Sequence, residues 1–407
     1  MLDKNILESL YGESEESFKR YNDLKEKFKT LYYHEDGEFF SSPGRTEIIG
    51  NHVDHNGGKV IGSSISMDTI AIAWPNNTDV IRIQSDGYRE VVIDLKDLKQ
   101  YKTGRGTTAL TAGMCEATKI NHFVVRGFDA CLTSNVISSA GVSSSASYAM
   151  IIMSIINYFF NGEKMTVSDY AKIGQYAENK YWFKASGMLD QMACAIGGPV
   201  LLDFKDPNDP KYEKLDFSFE EMGYQLFIIN TGESHADLNA EYSSIPNEMK
   251  EAAKVLGVER LCDADLDALL EHLNEIENDR AKLRAIHFYK EVERVEAVER
   301  ANLEKDYAKI IELIDESGRS SFEQLENCYC NTSPTEQKLA LALALARNFI
   351  DKVHKGTCRV HGGGFKGTIT CLIGLEHKDD FIAYMSKYFD PSYIYPMSIR
   401  KIGAIHI

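Results

Sequence analysis

The chain is short of positive charge: 45 Lys plus Arg stand against 61 Asp plus Glu, a formal net charge of −16 over 407 residues. Nucleic acid and anionic membranes both demand basic patches, so neither is an expected partner. A small anionic substrate stays open, because a few local cations suffice for it. Long hydrophobic runs are missing as well. The longest, YAMIIMSIINYFF (148–160), is interrupted by Ser154 and Asn157 and is too short to cross a bilayer, which points to a buried helix. The acidic start MLDKNILESLYGESEES has neither the basic flank nor the apolar core of a secretory signal. Paired cysteines are scarce: of eight, only Cys328 and Cys330 lie close together, and a C-x-C without a second pair or a nearby His is a weak metal site. Scattered thiols in a signal-free chain indicate a reducing, cytoplasmic setting. The sequence holds no fixed-period repeat, no low-complexity tract and no G-x-x-x-x-G-K-[ST], which excludes an ordinary P-loop kinase.

What is present describes a folded protein, with 43% hydrophobic and 26% charged residues, long enough for two domains drawn at 1–205 and 206–407. Residues 5–33 read as one or two amphipathic helices. From 36 to 95, the β-type runs TEIIG, KVIGSSI, TIAIAW, VIRIQS and EVVIDL alternate with Gly and Asn turns. GTTALTAGMCEATKI (106–120) has helical spacing, and GFDACLTSN (127–135) reads as a strand. TVSDYAKIGQYAENKYW (166–182) opens with a helix start signal at Thr166 to Asp169. DFKDPNDPKYEKLDF (203–217) is the candidate linker or hairpin at the domain boundary. Charged helical patterns dominate 244–355, and β-type runs return in GTITCLIGL and SIRKIGAIHI. Strands, then helices, then strands indicate an α+β protein.

Several segments can carry chemistry. SSAGVSSSAS (138–147) runs straight into the apolar helix. Small residues let backbone N–H groups approach a ligand, and the helix start adds donors at the positive end of its dipole, so phosphate can bind without a lysine. A flexible serine linker is the competing reading, opposed by the helix that begins at once. HGGGFKGTITCLI (361–373) contains G-x-G-x-x-G at Gly362, Gly364 and Gly367, yet a β-type run follows where a dinucleotide fingerprint needs a helix. A glycine turn between two strands, bringing backbone close to a nucleotide, fits better. In ASGMLDQMACAIGG (185–198), Asp190 stands alone among small and apolar residues, a setting for a catalytic base; a helix-capping Asp would look the same. GRTEIIGNHVDHNGGKV (44–60) crowds Arg45, Glu47, Asn51, His52, Asp54 and His55 into eleven positions.

Taken in order, these segments resemble the GHMP kinase superfamily, and galactokinases within it. PGRTEIIGNHVDHNGGKV is similar to the galactokinase signature, and GVSSSAS to the family's phosphate loop G-L-S-S-S-A. YAEN followed by SGMLDQ resembles A-E-H and C-G-I-M-D-Q, INTGESHADLNAEY resembles N-S-N-V-x-H-x-L-x-x-S-E-Y, and VHGGGFKGT resembles M-T-G-G-G-F-G-G. The likeness runs from about residue 36 to residue 407. It implies the two-domain GHMP kinase fold: an N-terminal domain like the second domain of a small-subunit ribosomal protein, a ferredoxin-like C-terminal domain, and the active site in the cleft between them. It also implies an ATP-dependent sugar 1-kinase acting on galactose, with ATP and Mg2+ as cofactors. No oligomeric state is legible, and a monomer is compatible with everything above.

By the same resemblance, Asp190 is the base facing the anomeric hydroxyl. Arg45 sits beside it, keeping it ionised and stabilising charge on the transferring phosphoryl group; a buried structural ion pair would have the same geometry. Ser145 and Glu178 align with the magnesium ligands, oxygen donors suited to a hard cation. Ser139, Ala140, Gly141, Val142, Ser143, Ser144 and Ser145 would wrap the phosphates, and Ser85 would lie near the nucleotide. Asn51, His52, Asp54, Gly187 and Tyr242 fall where sugar hydroxyls are held. The departures are specific. Asn51 replaces a Glu that binds the hydroxyl at carbon 6, His55 replaces a tyrosine, and Ile137-Ser138-Ser139 replaces the P-x-G before the phosphate loop. The glycine turn opens with His361 and carries Lys366, and Ser243, Ser244 and Ile245 follow Tyr242 where the family has paired arginines. Asn51 motivates a rival substrate oxidised at carbon 6, such as galacturonate. A non-catalytic sugar and ATP sensor is the other alternative, opposed by the intact Ser145-Ala146 and Asp190. Glu47 is expected to be structural, and His235, His272 and His287 to be surface or core residues.

Overall fold

The computed structural model describes residues 4–12, 15–104, 106–138, 141–183, 186–207, 209–233 and 238–407. Helices α1 (Lys4–Tyr11) and α2 (Glu15–Tyr32) precede the long antiparallel pair β1 (Glu38–Ile49) and β2 (Lys59–Pro75). Next come β3 (Val80–Ser85), β4 (Val91–Asp94), α3 (Gly106–Ile120), β5 (Phe128–Ser134), α4 (Ser144–Asn161), α5 (Val167–Lys180) and α6 (Leu189–Ile196). β6 (Pro199–Asp203) and β7 (Lys211–Lys214) form a hairpin, and β8 (Tyr224–Asn230) follows. A helical stretch then holds α7 (Asn239–Val255), α8 (Leu266–Glu271), α9 (Asp279–Glu304), α10 (Tyr307–Ser320) and α11 (Lys338–Val353). β9 (Gly356–Val360), β10 (Thr368–Gly374), α12 (Lys378–Met385), β11 (Ile394–Met397) and β12 (Ile405–His406) complete the described elements.

Two sheets result. The first has the order β12-β1-β2-β5-β3-β4, with β6 and β7 added alongside β2; the second is β11-β8-β10-β9. Alternation along the strands explains how each sheet is covered on both faces. Phe39, Ile70 and Ile72 turn to Tyr21, Leu24 and Phe28 of α2, while their neighbours Phe40, Ala71 and Ala73 turn to the core of α3 and α4. In β8, Phe227 and Ile229 meet α11 and α12, whereas Leu226 and Ile228 join Ile48, Ile61 and Val142 from the first sheet's side. The two sheets therefore share one apolar layer, with α9 and α10 packed into it. Among the described residues no helix is long and apolar enough to cross a membrane.

Local patterns hold up well. The start signal at Thr166 is a complete capping box: Thr166 Oγ1 accepts from the Asp169 amide and Asp169 accepts from the Thr166 amide. DFKDPNDPKYEKLDF lies across the β6–β7 hairpin. Two details differ. KVIGSSI and TIAIAW are one 17-residue strand, running through Ser66, Met67 and Asp68 because the Asp68 carboxylate is bound by Ser41, Arg400 and Arg20 rather than by its own backbone; only the partner changes, from β6 to β5. A cut at 205 falls inside that hairpin, where Val200 pairs with Lys214, and β12 belongs to the first sheet through Phe40 and Ser41.

Asp68, midway along β2, gathers a buried polar cluster. Its carboxylate accepts from Ser41 Oγ (2.7 Å), Arg400 Nη1 (3.1 Å), Arg20 Nη1 (2.9 Å) and Tyr11 Oη. The N-terminal helices and the segment before β12 are thus tied to one point. Removing the carboxylate strands two guanidinium groups, one of them fully buried. Asp68→Ala should cost about 3–5 kcal/mol, read as a fall in the urea unfolding midpoint, with Asp68→Asn costing less.

Candidate active site

β1 delivers Arg45 through an irregularity: its register with β2 shifts between Pro43 and Arg45. The Arg45 amide donates to Val142 O at 3.1 Å, which stitches the strand to the candidate phosphate loop. Gly44 makes that approach possible, since a Cβ there would stand 2.8 Å from Val142 O. The Arg45 guanidinium turns to Asp190, in the first turn of α6, with Nε and Nη2 each 2.7 Å from Oδ1. Its Nη1 donates to Gly141 O, and Ser143 Oγ donates to the other Asp190 oxygen. Burial works against the Arg45 charge, but Asp190 outweighs it and holds its pKa above the ordinary arginine value. Gly141 (φ +70°) and Ser143 (φ +57°) take left-handed backbone, and α4 begins at Ser144. Ser139 and Ala140 lie outside the described residues.

Two clefts flank this centre. One, of about 570 Å³, is lined by Ser85, Tyr88, Leu110, Ser138, Ser144, Ser145, Tyr148 and Trp182. The other, of about 550 Å³, is lined by Asp54, His55, Gln175, Asn179, Gly187, Met188 and Arg260. Gly187 has to be small: a Cβ would sit 2.8 Å from Asp54 Oδ2. Glu178 stands between the clefts, accepting from Ser145 Oγ (2.9 Å), Gln191 Nε2 (3.2 Å) and Ser186 Oγ. A hydroxyl and a carboxylate in contact beside the phosphate loop suit Mg2+, which takes one or two protein oxygens and fills its remaining positions with phosphate and water. Among the described residues no group of three or more His, Cys, Asp or Glu is placed to hold a metal, so no all-protein metal cage is seen there.

Family models match this chain in two places: the galactokinase galactose-binding signature over residues 26–75 and the GHMP kinases N-terminal domain over 109–198. Galactokinase from Bacillus subtilis is 29% identical over 373 residues, covering 88% of this chain and 91% of its own. Galactokinase from Streptomyces coelicolor is 29% identical over 355 residues, covering 86% and 87%. The chain belongs to the galactokinase branch of the GHMP kinase superfamily. It is a galactokinase-type phosphotransferase whose acceptor is an alcohol group. Structural likeness agrees on the fold: the crystal structure of Lactococcus lactis galactokinase complexed with galactose superposes with a TM-score of 0.81 at 21% identity, covering 95% of this chain and all of that one. Methanococcus jannaschii mevalonate kinase follows at 0.63 and 15%, covering 90% and 99%.

Within this kinase, Asp54 and Gly187 meet at one cleft and Ser85 and Ser145 at the other, but Asn51 is placed differently from its expected role as a sugar contact. It is 1% exposed and its amide is spent on protein. Nδ2 donates to Glu47 Oε1 and to Gly362 O (2.9 Å each), while Oδ1 accepts from Asn327 Nδ2 at 2.8 Å. His52 likewise leans on the glycine turn, donating from Nε2 to Gly363 O at 3.0 Å, and Tyr242 donates to Gly364 O at 3.3 Å. Behind them, His287 donates from Nε2 to Asn51 O (2.9 Å), and Glu291 accepts from the Gly50 amide (2.9 Å) and Ser317 Oγ (2.5 Å). Glu47 pairs with Arg359 at 2.8 Å, as its structural reading expected. Lys366 is ion-paired with Glu336 (3.3 Å) and Glu233 (3.9 Å), and His55 is exposed, 3.7 Å from Asp54. His272 bonds Glu275 on the surface, and His235 lies outside the described residues.

Sequence reasoning missed residues around the site. Gln191, which donates to Glu178, follows Asp190 directly in the quoted segment, and Trp182, which lines the cleft beside Ser145, ends the quoted α5 stretch, so both were within reach. Arg260 sits in a charged helical region with nothing local to mark it.

Two outcomes are expected. Asn51→Ala leaves buried partners unsatisfied and should cost about 1–3 kcal/mol in unfolding free energy, measured by chemical denaturation. Burial also depresses His52, to about 4, and His287, so both are neutral in the fold. The unfolded chain takes up protons near pH 6.5 that the fold refuses, so stability is full above that value and drops as pH falls toward 4. Denaturation midpoints at pH 5 should lie below those at pH 7.5, and His287→Gln should flatten part of that slope.

Proposed function

We propose that the protein transfers the γ-phosphoryl group of ATP to the anomeric hydroxyl of galactose. The observation that carries this reading is the Asp190 carboxylate, one oxygen held by Arg45 and the other by Ser143 of the phosphate loop, on a helix that begins two residues after Gly187 of the second cleft. The cleft beside Ser85 and Ser145 would take the nucleotide, and the one beside Asp54 the sugar. Backbone N–H groups at the start of α4 would meet the phosphates at the positive end of that helix. Asp54 would accept sugar hydroxyls through charge-assisted bonds.

In the reaction, the anomeric O–H bond breaks and its proton passes to Asp190. The oxygen attacks the γ-phosphorus in line, and the bond from that phosphorus to the bridging oxygen breaks, releasing ADP. Arg45 stays positive throughout and offsets charge gathering on the transferring group. Bound Mg2+ would rest on Ser145 Oγ and a Glu178 oxygen and would neutralise phosphate charge there.

The galactose-binding signature and the relatives named above support galactose as the acceptor. Asn51 was the motive for a 6-oxidised rival, and its enclosed amide removes that motive. The test is a panel of hexoses and hexuronic acids with ATP and Mg2+, scored for the 1-phosphate. Galactose 1-phosphate is expected; turnover confined to galacturonate, or sugar binding with no turnover, overturns the reading. Asp190→Asn should lower kcat by about 10²- to 10⁴-fold, with the sugar KM little changed.

A further inference from the structure

His361 is a departure from the family pattern to which the reaction above gives no work. It is 3% exposed and opens the 361–367 turn between β9 and β10, its amide donating to Thr368 O at 3.0 Å. One ring nitrogen is committed, with Nε2 3.1 Å from Thr46 Oγ1 on β1. The other, Nδ1, is buried and has no hydrogen-bond partner among the described residues. It faces the phosphate loop: a Cβ on Gly141 would lie 2.9 Å from Nδ1 and 3.9 Å from Thr368 Oγ1. Thr368 Oγ1 is itself buried without a partner. Gly141 is also the residue whose carbonyl accepts from Arg45, and its left-handed backbone is a point where a peptide can turn.

Buried polar atoms are nearly always paired in folded proteins, so two unpaired ones aimed at a single glycine call for a function. The ring is uncharged. Burial, with Arg45 and Arg359 adding repulsion against the pull of Asp190, holds it well below the ordinary histidine range. A neutral imidazole can offer Nδ1 either as donor or as acceptor, and a hydroxyl can do the same, so the pair can serve whichever backbone group the loop presents.

We propose that His361 is a positioning residue for phosphoryl transfer: its Nδ1, with Thr368 Oγ1, forms a socket that engages the Gly141 segment when nucleotide phosphates fill the loop, fixing through the Gly141 carbonyl how Arg45 meets Asp190. This rests on the kinase reading of the site given above. A loop held in this way would keep its amides turned toward the bound phosphates.

The two ring nitrogens can be tested separately. His361→Asn keeps a polar group near the Nδ1 position and gives up Thr46; His361→Gln keeps reach toward Thr46 and gives up Nδ1. The Asn variant should keep kcat within about threefold, whereas Gln and Leu variants lose roughly 10- to 100-fold in kcat and raise the nucleotide KM, the sugar KM staying unchanged. Thr368→Val should shift kcat and nucleotide KM in the same direction. Thermal midpoints taken alongside separate loss of fold from loss of positioning. Calorimetric binding of ATP with Mg2+ in the absence of sugar gives a readout independent of turnover, weaker for Gln than for Asn. The inference is overturned if Gln matches the wild type, if Asn falls as far as Leu, or if the losses simply track the melting points. Should the wild type phosphorylate no sugar, the kinase reading fails, and the calorimetric comparison still decides the socket.

Discussion

One guanidinium joins the two sheets. Arg359 on β9 reaches across to β1, where it pairs with Glu47 Oε1 and donates to the carbonyls of Ile48 (2.8 Å) and Glu47 (3.3 Å). Taking such a charge out of water is costly, and only several well-placed acceptors offset it, so the arrangement tolerates little slack. Glu47 then holds Asn51, which holds the glycine turn and Asn327. Arg45 lies two residues before Glu47, and His361 two after Arg359. The clamp that unites the sheets therefore also sets the spacing between Arg45 and the turn that opens with His361.

Much of this was legible in the sequence because it is local. The capping box at Thr166, the buried helix 144–161, the glycine turn between two strands and the placement of Asp190 early in α6 each follow from residues within a few positions of one another. The pairing of Arg45 with Asp190, 145 positions apart, was accessible only because both fell within recognisable segments. The remainder depended on partners that no local pattern names. Asn51 looks like a ligand-facing amide in its loop, and Asn327 and Gly362, which enclose it, lie 276 and 311 positions away. Arg260 enters the Asp54 cleft from a stretch whose charges otherwise read as solvated surface.

The departures also sort themselves physically. Asn51 in place of a Glu avoids setting a second carboxylate against Glu47 at a distance of 2.9 Å, in a place with little water to separate them. Lys366, with acids on either side, contributes to the surface around the turn. His361 alone among them points at the phosphate loop.

The pairing of β12 with β1 has a consequence for how the molecule is made. His406 bonds Glu38 across 368 residues of chain, and Phe40 and Ser41 receive their outer neighbours only from that short strand. During synthesis β1 remains an open sheet edge, with unpaired backbone groups, while everything between is translated. Sheet edges of this kind invite pairing with other chains, and contacts this distant form slowly. The edge of the sheet at Phe40 and Ser41 thus closes only after Ile405 and His406 have been made.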